Sequence, residues 1–63
     1  MSVTKGNLEY RLESTVRSVN DMQKYLTGND KINPAFLGAY WDQIRYEFEE
    51  ARKLTTELLK EIV

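Results

Sequence analysis

The chain has 63 residues, 41% of them hydrophobic and 30% charged, with a formal net charge of -1 and neither cysteine nor histidine. That length admits one domain, spanning residues 1–63, and at this size folding hides only about 60% of the unfolded surface. Without cysteine there are no disulfides or thiolate ligands, and without histidine the commonest general base and usual transition-metal ligand are missing, so neither a cofactor nor enzyme activity is expected.

In chain order, the opening Met1–Gly6 lacks the apolar core of a secretion signal. No apolar run approaches the roughly 18–20 residues of a membrane span, so a cytoplasmic chain without a membrane partner is expected. Leu8, Leu12, Thr15, Val19, Met22 and Leu26 then recur at alternating spacings of four and three. This averages about 3.5 residues, the period that keeps one stripe of a helix against a neighbour, and predicts a helix over 5–27. Gly28 suits the left-handed position that ends a helix, since it has no Cβ to clash. Asn33-Pro34 reads as the next helix start. The amide side chain caps a free N–H, and proline at the first position has no N–H to leave unpaired. Ile32 and Leu37 stand where a hydrophobic staple places its two residues.

Beyond the turn, Leu37, Trp41, Ile44, Phe48, Ala51, Thr55, Leu58 and Ile62 continue the same rhythm and predict a helix over 34–62. Strand alternation fits neither segment. The expected fold is all-α, an antiparallel two-helix hairpin. Pairing across the turn sets Leu26 by Leu37, Val19 by Ile44, Thr15 by Phe48 and Leu12 by Ala51, with Trp41 and Phe48 in the core. The outer faces offer Glu13–Arg17, Arg45–Glu49, Glu49–Lys53 and Lys53–Glu57 as ion pairs, each contributing about 0.2–0.5 kcal/mol.

Two helices cannot enclose a core between them. The second helix is moreover broader than one seam, carrying Tyr40 and Leu54 on one flank and Leu59 on the other. Leaving such side chains in water forgoes several kcal/mol at about 25 cal/mol per Å², so a protein partner is expected. Candidate interface residues are Tyr40, Tyr46, Leu54, Leu58, Leu59 and Ile62. The first expectation is a homodimeric four-helix bundle acting as a structural or regulatory adaptor. The second is docking on a different helical protein, as an inhibitor, immunity-type or chaperone-like subunit. Tyr10, Tyr46 and Phe36 fall at outward positions. The carboxylates Asp42, Glu47, Glu49 and Glu50 read as a solvated helix face, not a metal site, because di-iron bundles also need Glu-x-x-His spacing. Basic residues are interleaved with acids rather than gathered in a stripe, which argues against a nucleic-acid partner.

In layout, two heptad helices joined by the Gly28–Pro34 turn, the chain resembles small bacterial and phage helical hairpins. These include Rop-type plasmid copy-number regulators, the small co-chaperones of type III secretion needle subunits and the small subunit of exonuclease VII. The Rop-like resemblance implies a dimeric four-helix bundle that binds paired RNA loops. No residue role is carried over from any of them.

Overall fold

A computed structural model describes residues 2–63, which form two antiparallel helices, α1 (Val3–Leu26) and α2 (Pro34–Ile62). The expected hairpin is what the chain adopts. Helix α1 begins two residues earlier than its apolar period indicates, because Ser2 caps it. The Ser2 hydroxyl oxygen accepts a hydrogen bond from the Lys5 N–H at 3.4 Å, satisfying one of the orphan donors of the first turn. The same hydroxyl donates to the Glu61 carboxylate in the last turn of α2, tying the free ends of the two helices together.

The other end follows the residues closely. Thr27 closes α1 through its N–H and its hydroxyl, both donating to the Gln23 carbonyl at 3.0 and 2.9 Å. Gly28 then takes a φ of 72°, the left-handed conformation that costs other L-residues a Cβ clash. Asn33 caps α2 by accepting from the Ala35 N–H at 2.9 Å, with Pro34 at the first helical position. Ile32 and Leu37 are both half-buried at the staple positions.

The seam between the helices differs from the heptad reading in one systematic way. The least exposed residues are Thr15, Ile44, Glu47 and Ala51, each at 4–6%. Together with the partly covered positions, they mark a seam through Leu8, Arg11, Thr15, Ser18, Met22 and Tyr25 on α1. On α2 it runs through Leu37, Tyr40, Ile44, Glu47, Ala51, Leu54 and Leu58. Every second heptad position is kept (8, 15, 22 and 37, 44, 51, 58) and every alternate one is displaced by one residue toward the N-terminus. Arg11 thus replaces Leu12, Ser18 replaces Val19, Tyr25 replaces Leu26, Tyr40 replaces Trp41 and Glu47 replaces Phe48. The expected core positions of Trp41 and Phe48 are therefore corrected: both stand outside the seam, 54% and 55% exposed. The apolar sector of each helix is too wide for a single neighbour to cover. The hairpin packs Leu8, Met22, Leu37, Ile44 and Leu58 together with the polar or small Arg11, Thr15, Ser18, Glu47 and Ala51, and leaves the other edge of the apolar sector outside.

Charges are arranged differently from the spacing-based expectation as well. The ion pairs among the described residues are Lys5–Glu9, Asp42–Arg45, Glu50–Lys53 and Arg11–Glu47, so none of the four expected pairs closes. Exposed lysine, arginine and carboxylate side chains choose among several partners separated by fractions of a kcal/mol. Glu47, expected on a solvated face, is buried in the seam.

Candidate interaction site

The hairpin is a rod of 48 × 16 × 13 Å with two broad faces. Advancing one residue along a helix turns the side chain by about 100°. Because α1 and α2 run in opposite directions, that turn carries side chains of both helices to the same side of the plane containing their axes. Residues that follow seam positions therefore share one face, and residues that precede them share the other.

The first face holds Leu12, Val19 and Leu26 from α1 with Trp41, Phe48 and Ile62 from α2, all exposed. Val16 and Leu59 extend it outward and are exposed too. Scattered single hydrophobics are ordinary on a protein surface, but a stripe repeated along both helices makes this face a candidate interaction site. Of the residues expected to form an interface, Leu59 and Ile62 belong here. Tyr40, Leu54 and Leu58 instead sit half-buried in the seam within the hairpin. Tyr46 lies on the opposite face.

That second face carries Tyr10, Phe36 and Tyr46 with Ser14, Asp21, Gln43 and Glu50. Its anchor is polar. The Glu47 carboxylate accepts from Arg11 Nη1 at 3.1 Å and from Gln43 Nε2 at 2.8 Å, which satisfies an otherwise costly buried charge. Arg11 also lies over the Tyr46 ring, 5.9 Å from its centroid, within cation–π range. The hydrogen bond that Arg11 donates to Glu47, reinforced by the carboxylate's charge, raises the Arg11 pKa above its ordinary value. Thr15, buried beside them, donates its hydroxyl proton to the Arg11 carbonyl at 2.8 Å.

Near the turn, three aromatic rings cluster. Tyr25 meets Phe36 edge-on at 6.2 Å and Tyr40 at 5.2 Å. The Tyr25 hydroxyl accepts from the Asn33 N–H at 2.8 Å, so the ring cluster and the cap of α2 hold one another in place. At the far end, hydrogen bonds from Ser2 and then Thr4 keep the Glu61 carboxyl below the usual glutamate pKa.

No group of three or more metal-ligating side chains comes together among the described residues, and no helix among them is long and apolar enough to cross a membrane. The chain matches no family model, no curated protein and no solved structure. Sequence reasoning did not place Leu12, Val19, Leu26, Trp41 and Phe48 on a surface, because a heptad period does not say which neighbour its stripe faces. Arg11 and Glu47 were the available signal. Two opposite charges placed one residue before heptad positions neutralise each other only if they face across the hairpin.

Proposed function

We propose that this protein is a non-enzymatic helical interaction module that self-associates through its apolar face. Two hairpins form a four-helix bundle that serves as a small structural or regulatory adaptor. One observation carries this reading: the angle between two stripes on the same helices. At about 100° per residue, displacing every second contact by one residue turns the mean direction of the stripe by about 50°. In a square bundle, the direction to an adjacent helix and the direction to the bundle axis differ by about 45°. The seam positions thus point at the neighbouring helix of the hairpin, while the heptad positions point where a four-helix axis would lie. Both helices turn the same way, toward the Trp41–Phe48 face. That geometry suits half of a four-helix bundle, and on this reading a second copy supplies the other half with the same apolar stripe.

Sedimentation equilibrium at micromolar concentration tests the proposal. The expected result is twice the chain mass, returning to a single chain mass for Trp41→Lys combined with Phe48→Lys. A monomer with a cooperative, concentration-independent melt overturns it.

A further inference from the structure

The tyrosine-bearing face has a feature that self-association leaves open. Between the helices, next to the turn, lies a hollow of about 450 Å³ lined by Ser18 and Asp21 of α1 and by Phe36, Ala39, Tyr40 and Gln43 of α2. That volume falls within the roughly 300–1,000 Å³ range of small-ligand pockets. Three other hollows of comparable volume, over Leu12–Arg17, Asn20–Thr27 and Glu49–Lys60, differ in that each lies along a single helix and contains no aromatic side chain.

We infer that this hollow docks a basic side chain, arginine before lysine, projecting from a different protein. The walls and the rim both point to that chemistry. Phe36 is 59% exposed and Tyr40 half-buried, so two ring surfaces are available to an aliphatic stem and to a cation above it. Asp21 is exposed and takes part in no ion pair among the described residues. Gln43 spends its NH₂ group on Glu47, leaving its carbonyl oxygen free to accept. With the Ser18 hydroxyl, the rim is rich in acceptors, and no cationic side chain lines the hollow. A guanidinium suits several acceptors around an aromatic wall better than a compact ammonium does, because its donors form a planar fork and its face stacks on rings.

The site is also preorganised. Tyr25 packs against both ring walls, and its hydroxyl is held by the backbone N–H of Asn33, so the two rings are positioned before anything binds. The opposite face is the one proposed to meet a second copy, so the hollow stays accessible in monomer and dimer alike. The inference therefore stands independently of self-association.

Amide NMR shifts of the full chain, followed on adding a blocked glycine–arginine–glycine tripeptide to millimolar concentration, test it. A tripeptide with citrulline in place of arginine serves as the uncharged control. The expected result is saturable shifts confined to Ser18–Met22 and Phe36–Ile44 with the arginine peptide only. Affinity falls roughly tenfold for Asp21→Asn, the loss of about one charge-assisted contact, and falls again for Phe36→Ala. Both substitutions are on exposed positions, and unchanged helicity and unchanged sedimentation confirm that fold and association are intact. Equal shifts with citrulline, shifts spread over the acidic residues of α2, or indifference to Asp21→Asn each overturn the inference.

Discussion

The two faces of this hairpin are built from the same two helices, yet their chemistry has little in common. One is led by leucine, valine, tryptophan and phenylalanine, interrupted by the Thr55 hydroxyl and edged by charged side chains, and runs the length of the rod. The other is tyrosine, arginine, serine and glutamine around a buried carboxylate, with one hollow at the turn. Interfaces between permanently associated copies resemble a core cut in half, whereas surfaces that bind and release other proteins favour tyrosine and arginine and keep polar rims. The contrast is the basis for proposing different kinds of partner for the two faces, and substitutions confined to each face test whether they act separately.

The largest effect is expected on the apolar face. Trp41→Lys with Phe48→Lys removes two large side chains that burial would each stabilise by about 1.5–3 kcal/mol, a change of at least 100-fold in dimer affinity. Analytical ultracentrifugation reads the loss, while arginine-peptide shifts at the hollow should persist. Next comes the seam, on which both faces depend. Ile44→Ala, at a position only 4% exposed, is expected to cost about 3 kcal/mol. For so short a chain that is a large part of the total stability, and circular dichroism should show helicity lost together with both binding activities. A smaller and more selective effect belongs to the turn. Gly28→Ala places a Cβ on backbone at φ 72°, and Asn33→Ala removes the cap of α2. Each is expected to cost about 1 kcal/mol in thermal denaturation, with Asn33→Ala also loosening the aromatic wall of the hollow. The smallest concerns the free ends. Glu61 has a lowered carboxyl pKa in the folded state, so its contribution is present above the unfolded value of about 4.3 and is lost as pH falls through the folded one. Glu61→Gln should flatten that part of the acid limb of a pH–melting curve and leave both faces unchanged.

The legible part of this protein was its punctuation. Gly28, Asn33 and Pro34 marked the turn because each residue has a backbone property no other residue supplies as cheaply, and that property acts locally. The heptad repeat gave two helices and their antiparallel pairing for the same reason. What it withheld was direction. A stripe of leucines, valines and aromatics says that something covers it, and the nearest helix was the natural candidate. The hairpin instead uses Thr15, Ser18, Ala51 and the Arg11–Glu47 pair to bring its own helices together, and contacts of that kind depend on partners 36 residues apart. Ser2 escaped notice because its capping role rests on one hydroxyl and on a carboxylate at the other end of the chain. The hollow was not legible at all: Asp21 and Phe36 become neighbours only once the turn is closed.

The bond between Ser2 and Glu61 has a topological corollary. With the two helix ends held side by side, a short linker can join them, and the loop at Gly28–Lys31 can be cut in exchange. Such a circular permutant would present α2 before α1 and yet keep the seam and the apolar stripe, losing only the covalent turn beside the hollow. Helix order in this protein is then a matter of connectivity, and the hairpin is specified by the two helix surfaces whichever comes first.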